Sequence, residues 1–150
     1  MNNLVHLSYI DSYSTSKIEE SLNVALEELK VMAKFKPKMK VLIKPCLPVS
    51  ESQDKAKTTN PSVVRAIVNI LSKIGISCIV ADSPYKKYST ANLDQVYLNT
   101  GMLEVANLTT CELNHNLNTL GLNLPLNIFY KDYPQQYKKC LFCLKCLQLL

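Results

Sequence analysis

The pattern of apolar and polar positions is clearest between residues 39 and 84, where it predicts a strand, a helix and a second strand. The run Val41-Leu42-Ile43 is typical of a strand covered on both faces. A second apolar run covers residues 76–81. Between them, apolar residues recur at helical spacing: Val63, Val64, Ile67, Ile70, Leu71 and Ile74. A strand–helix–strand unit of this length forms a right-handed crossover, so we expect the two strands to be parallel.

The ends of this helix carry their own signals. Asn60 can cap the first turn, and Pro61 has the fixed φ that suits the first helical position. Gly75 follows the last apolar position and can adopt the left-handed conformation that ends a helix. The sequence therefore predicts a helix from Pro61 to Ile74.

The same alternation of elements continues on both sides. Residues 4–10 have the pattern of a first strand, in which we expect His6 to be a satisfied histidine on one face. A helix should follow to about residue 34, with Ser16 and Glu19 forming a capping box. Residues 108–113 are predicted as a fourth strand. The pattern predicts a three-layer α/β fold, with a mostly parallel sheet and helices on both faces.

The pattern changes near the C-terminus. From Leu120 to Tyr130, leucine alternates with small or polar residues, which is typical of a half-buried strand, and Pro125 favours a sheet edge or a hairpin. We therefore expect an α/β domain over residues 1–130 and a Cys- and Leu-rich tail over residues 131–150.

Topology predicts where a ligand would bind. The carboxyl ends of parallel strands meet at one edge of a sheet, where open α/β sheets bind ligands. The polar residues expected at this edge are Lys44, Cys46, Thr58, Thr59, Asn60, Asp82 and Ser83. Lys44 and the helix start could hold negative charge, while Asp82 could orient a cation or a hydroxyl group. Capping alone also explains Asn60, and a charged strand end alone also explains Lys44. The loop 45–59 is either a lid over this edge or a solvated insertion.

Composition limits the function classes. The net charge is +5, but only Arg65 among the 17 basic residues is arginine, and clustered aromatics are missing, so the sequence does not favour a nucleic-acid surface. The sequence contains neither a signal-peptide pattern nor an apolar run long enough for a membrane helix. We therefore expect a cytoplasmic protein without a membrane partner. With two histidines in the chain, general-base catalysis by histidine has little support.

Six cysteines without a secretory signal indicate reduced thiols or metal ligands rather than a disulfide scaffold. Cys78 and Cys111 lie in predicted strands and are expected in the core. Cys140, Cys143 and Cys146 have the spacing of the first three ligands of a bacterial ferredoxin run. The fourth position is occupied by Leu150, so an iron–sulfur cluster would need a borrowed ligand. An apolar segment with incidental cysteines is the alternative interpretation.

Three ordered motifs carry a family resemblance: Ile43-Lys44-Pro45-Cys46-Leu47, Thr58-Thr59-Asn60-Pro61-Ser62-Val63-Val64 and Val80-Ala81-Asp82-Ser83-Pro84. They resemble the "IKPN", "T(H/N)P-x-VV" and "GDSP" motifs of the family catalogued as domain of unknown function 362. Many of its members carry a ferredoxin-like segment. Cys46 replaces the family's asparagine, and a later "KLKTH"-like motif is missing. The resemblance therefore implies the front half of such a protein.

Three interpretations of function stay open. The first is an enzyme-type domain, linked to redox or metal chemistry, that binds an anionic small molecule at the carboxyl edge of the sheet. The second is an iron–sulfur electron-transfer protein that uses the tail cysteines. The third is a truncated fragment that has kept its fold and lost its activity. The sequence favours neither a particular reaction nor a particular oligomeric state.

Overall fold

The computed structural model describes residues 4–84 and 89–117, which form four α-helices and one three-stranded sheet. The elements are α1 (Thr15–Glu28), β1 (Lys40–Ile43), α2 (Pro61–Lys73), β2 (Ser77–Val80), α3 (Thr90–Asn99), α4 (Met102–Leu108) and β3 (Glu112–Leu113), with short 3-10 turns at Met32–Lys34 and Gln53–Lys55. This mixed α/β arrangement confirms the predicted fold class and is consistent with a three-layer architecture.

The sheet has the strand order β1-β2-β3, and both pairs of neighbours are parallel. Lys40 pairs with Ser77 and Ile43 with Val80, so β1 and β2 end at the same level. This confirms the parallel strand–helix–strand unit predicted from residues 39–84. It also places the residues that follow Ile43 and Val80 at one edge, which we call the carboxyl edge.

Helix α2 begins and ends where its sequence signals predict. The Asn60 side-chain oxygen accepts the backbone N–H of Ser62 at 2.9 Å, and Pro61 occupies the first turn. Gly75 has a φ of +75°, the left-handed conformation that stops the helix. The buried residues of α2 are Val64, Ala66, Val68, Ile70 and Leu71, and of these Val64, Val68 and Leu71 belong to the core cluster. Full burial of a Val or Leu side chain contributes roughly 1.5–3 kcal/mol, so α2 supplies a large share of the core stabilisation.

The core lies between the sheet and helices α2, α3 and α4. Alternate strand residues point into it, since Ile43, Cys78 and Val80 are all buried. They pack with Val64, Val68, Leu71, Leu93, Val96, Tyr97, Met102, Val105 and Cys111. The prediction that Cys78 and Cys111 are core residues is confirmed.

The predicted strand over residues 4–10 is wrong. These residues make no strand pairing in the described part of the chain, and Val5, Leu7 and Tyr9 are 86%, 94% and 91% exposed. Side-chain contacts instead hold the segment against α1: His6 Nδ1 lies 2.7 Å from Glu28 Oε2, and Ser8 Oγ lies 2.6 Å from Ser21 Oγ. The polar residues His6 and Ser8 thus contact α1, while the neighbouring apolar side chains are exposed.

Two further local predictions need correction. The N-cap of α1 is Ser14 rather than Ser16, and Glu19 does not close a capping box, because its carboxylate binds Asn69 and Lys73 of α2. The strand predicted over residues 108–113 is shorter than expected, because α4 extends to Leu108 and leaves only Glu112 and Leu113 in β3.

The predictions for the C-terminal part lie outside the described residues. They comprise the strand from Leu120 to Tyr130, the tail from residue 131 and the domain boundary at residue 130, all of which stay predictions. Within residues 4–84 and 89–117, the helices are too short and too polar to cross a membrane.

Candidate functional site

An ion pair joins the two strand ends at the carboxyl edge. Lys44 follows β1 directly, and Asp82 lies two residues after the end of β2. Lys44 Nζ lies 2.6 Å from Asp82 Oδ1, and the two side chains are only 18% and 6% exposed. The parallel register explains this meeting of residues 38 positions apart, since both chains leave the sheet at the same level.

The second carboxylate oxygen of Asp82 also has a partner. Asp82 Oδ2 accepts the backbone N–H of Leu47 at 2.6 Å, and Leu47 is completely buried. Asp82 therefore binds both the ammonium group of Lys44 and the backbone three residues further along. The carboxylate thus fixes the direction in which the chain leaves β1.

Reciprocal hydrogen bonds close the loop 45–59 at its base. The backbone N–H of Cys46 donates to Thr59 Oγ1 at 2.9 Å, and the backbone N–H of Thr59 donates to the Cys46 carbonyl oxygen at 2.9 Å. These bonds hold the beginning of the loop against the start of α2. Cys46 is exposed at this position.

The loop is also tied to α3. Ser50 Oγ donates to the Gln95 carbonyl oxygen at 2.9 Å and accepts from Asn99 Nδ2 at 2.9 Å. Near the end of the loop, the hydroxyl of Thr58 is buried and has no hydrogen-bond partner among the described residues. A buried hydroxyl without a partner is costly, so the hydrogen-bonding capacity of this atom is unused within the described part of the chain.

The structure thus places the predicted site residues in one region, but with different roles. Lys44, Cys46, Thr59 and Asp82 are connected through the contacts above. Asn60 caps α2 through its side chain, and its carbonyl oxygen accepts the backbone N–H of Val63 at 3.1 Å. Ser83 is half-buried beside Asp82 in the chain. A ligand-binding role for these residues stays a prediction.

Sequence reasoning missed a second side-chain pair near this edge, between Asp94 and His115. The backbone N–H of Asn114 donates to the Val80 carbonyl oxygen at 2.9 Å, so the chain after β3 continues past the end of β2. There, His115 Nε2 lies 2.9 Å from Asp94 Oδ1, and its Nδ1 lies 3.1 Å from the Leu113 carbonyl oxygen. The two side chains come from α3 and from the end of β3. No local sequence signal links residues 21 positions apart.

Tyr97 supports this second pair from the core. Its ring is 1% exposed and packs edge-on against His115, with ring centroids 5.4 Å apart. Its hydroxyl donates to the Asn114 carbonyl oxygen at 2.9 Å. Tyr97 is therefore a core residue, and its hydroxyl additionally fixes the chain that follows β3.

The described part of the chain contains no group of three or more His, Cys, Asp or Glu side chains placed to hold a metal ion. The predicted cluster ligands Cys140, Cys143 and Cys146 lie outside it. An iron–sulfur cofactor therefore stays a prediction from the spacing of these cysteines alone.

Comparison with known proteins gives a family match. The family model described as "Domain of unknown function (DUF362)" matches residues 41–130, which is more than half of the chain. The matched range begins in β1 and includes Lys44, Thr59, Asp82 and the rest of the carboxyl edge. No curated protein and no solved structure matches the chain significantly.

Proposed function

The chain belongs to the family described as Domain of unknown function (DUF362), and we propose that it is an enzyme-type domain that binds an anionic small molecule at its carboxyl edge. Lys44, Thr58, Thr59 and Asp82 form the proposed site, which we call the edge site. The redox- or metal-linked chemistry implied by the family resemblance belongs to the same proposal.

The buried Lys44–Asp82 pair is the observation that carries the proposal. Removing two charges from water costs several kcal/mol per ion, and well-packed apolar side chains of similar size often stabilise a fold equally well. Lys44 is 18% exposed and Asp82 is 6% exposed, so a contribution to stability alone explains poorly why the chain has an ion pair at this position. Its position at the ends of adjacent parallel strands, where α/β sheets bind ligands, supports a functional reason.

Each group would have a distinct role in binding. Lys44 supplies the positive charge, and Asp82 holds that ammonium group in place while its other oxygen fixes the backbone at Leu47. The buried hydroxyl of Thr58 can donate to a ligand oxygen. The helix start contributes little directly, because the Ser62 and Val63 N–H groups are already bound by Asn60.

Charge balance predicts weak affinity. Asp82 neutralises the charge of Lys44, so a ligand anion gains short-range hydrogen bonds more than long-range attraction. We therefore expect dissociation constants of about 1 mM or weaker, corresponding to roughly −4 kcal/mol of binding free energy.

The test measures binding of inorganic phosphate, pyrophosphate and succinate to the full chain by isothermal titration and by amide chemical shifts. We expect at least one anion to bind and to shift the backbone amides of Cys46, Thr58 and Thr59. Lys44→Ala should abolish this binding. Lys40→Ala is the matched control, because Lys40 lies at the other end of the same strand, where it is 60% exposed and 3.7 Å from Glu112.

Two results would contradict the proposal. One is unchanged anion affinity in a folded Lys44→Ala variant. The other is amide shifts that are confined to the Lys40 end of the sheet or absent for all three anions in the wild type.

A further inference from the structure

The register of the sheet brings two thiols next to each other. Ile79 pairs with Glu112 and Val80 with Leu113, so the preceding residues, Cys78 and Cys111, are neighbours across β2 and β3. Adjacent strands lie about 4.8 Å apart, which falls within the range of about 4.4–6.8 Å between the Cα atoms of disulfide-linked residues.

Burial shows that both thiols lie on the core side of the sheet. Cys78 is 1% and Cys111 is 7% exposed, whereas Glu112, the next residue after Cys111, is exposed. Both cysteines belong to the same core cluster, and both are free thiols. Burial, with a smaller contribution from Cys111, raises the pKa of the Cys78 thiol to about 11. Cys78 is therefore a poor first nucleophile, while the less buried Cys111 is better placed to react first.

We propose that Cys78 and Cys111 form a cross-strand dithiol that a small-molecule disulfide oxidises to a disulfide between β2 and β3. The Cys111 thiolate attacks the small disulfide, forms a mixed disulfide and releases one thiolate. Cys78 then gives up its proton and attacks the Cys111 sulfur, and the second thiolate leaves. Overall, the two protein thiols are oxidised, and the small disulfide is reduced to two thiols that take up the two protons. This inference is independent of the proposed anion binding.

The shortness of β3 makes the reaction accessible. Only Glu112 and Leu113 form the strand, so few ladder hydrogen bonds must open before solvent reaches Cys111. Once formed, the bond would join β3 covalently to the central strand. It would also fix the segment with Asn114 and His115, which follows β3 at the carboxyl edge.

The test uses the full chain with Cys140, Cys143 and Cys146 changed to Ser, so that the tail thiols do not compete. The protein is incubated with oxidised glutathione, its remaining thiols are alkylated after unfolding, and peptides are mapped by mass spectrometry without reduction. We expect a peptide linking Cys78 to Cys111, with Cys46 carrying only glutathione. The linked protein should have a Tm higher by at least about 4 °C, and dithiothreitol should reverse the increase.

Two outcomes would overturn the proposal. In the first, Cys46 is fully glutathionylated while the Cys78 and Cys111 thiols stay free; in the second, either residue is linked to Cys46.

A second measurement needs no oxidation: phenylarsine oxide bridges thiols that lie close together. We expect one arsenic atom per chain, bound through Cys78 and Cys111, and none after Cys111→Ala. Equal arsenic content in the two proteins would contradict the inferred proximity.

Discussion

Two lysine–aspartate pairs in this molecule have nearly the same geometry and very different surroundings. Lys44 Nζ lies 2.6 Å from Asp82 Oδ1 at the carboxyl edge. Lys17, in the first turn of α1, places its Nζ 2.7 Å from Oδ1 of Asp11, which precedes the helix. The first pair is 18% and 6% exposed, and the second is 53% and 58% exposed. Distance therefore does not separate the two pairs, but access of water does.

This difference determines what each pair can do. Water screens the exposed pair, so it contributes little to stability, although the hydrogen bond from Lys17 lowers the pKa of the Asp11 carboxyl. At the carboxyl edge, Asp82 compensates the charge of Lys44 where little water reaches, and it also binds the backbone of Leu47. The same chemistry acts as a surface contact in one region and as a structural constraint in the other.

The largest expected effect tests this contrast directly. Asp82→Ala removes the carboxylate that binds both the Lys44 ammonium group and the Leu47 N–H in a largely buried place, so we expect a loss of about 3–5 kcal/mol in the free energy of unfolding. Asp11→Ala should leave stability unchanged within error. Urea unfolding monitored by circular dichroism measures both, and equal losses would show that burial does not distinguish the pairs.

A double variant sharpens the same comparison. In Lys44→Met/Asp82→Leu, apolar side chains replace both charges, and we expect much of the stability lost in Asp82→Ala to return. If the double variant is as unstable as the single one, the Leu47 hydrogen bond rather than the charge pair carries the effect.

The prediction of the carboxyl edge from sequence succeeded because its signals are local. Asn60 and Gly75 mark the ends of α2, and the apolar runs around Val41 and Ile79 mark buried parallel strands. Once these elements are known, topology brings Lys44 and Asp82 together. The internal partners of Asp82 depend on side-chain packing, so sequence alone could not predict the bond to Leu47.

The strand prediction for residues 4–10 failed because the contacts of this segment are not signalled locally in the sequence. The apolar residues in 4–10 fit a strand, but they do not show which element of the fold the segment would contact. Its actual partners, Ser21 and Glu28, are polar residues of α1. The contact between Asp94 and His115 was missed for a similar reason, because it depends on how α3 lies against the chain that follows β3.

The helix caps give a second, smaller contrast between the two regions. Asn60 makes a side-chain hydrogen bond at the start of α2, whereas Ser14 makes no such bond at the start of α1. We expect Asn60→Ala to lower the free energy of unfolding by about 1 kcal/mol, within the usual range of about 0.5–2 kcal/mol for lost caps. Ser14→Ala should cost clearly less. A loss for Ser14→Ala that equals the loss for Asn60→Ala would refute the assignment of the α2 cap.

The Glu19–Lys73 pair is intermediate in exposure between the Lys44–Asp82 and Lys17–Asp11 pairs. The contacts of Glu19 lead us to expect that the free energy of unfolding depends on pH. Its side chain is 18% exposed and accepts hydrogen bonds from Asn69 Nδ2 at 2.6 Å and from Lys73 Nζ at 3.0 Å, both on α2. The bond from Asn69, and secondarily the ammonium group of Lys73, hold the pKa of the Glu19 carboxyl below its ordinary value of 4.5, although partial burial opposes the shift. The folded state therefore favours the ionised form. Its stabilisation is fully present above pH 4.5 and is lost as the pH falls through the lowered folded-state pKa.

Glu19→Gln should remove this dependence, because the amide does not titrate. We expect the wild type to be more stable than the variant by no more than about 1 kcal/mol at pH 7, since the pair with Lys73 is partly open to solvent, and the difference should shrink as the pH falls below about 4.5. Urea unfolding at a series of pH values measures it, with Glu20→Gln as the control, because Glu20 is an exposed neighbour in the same turn of α1. A difference between wild type and Glu19→Gln that is constant from pH 7 to pH 3 would mean that packing between α1 and α2, and not the ionised carboxylate, joins these helices.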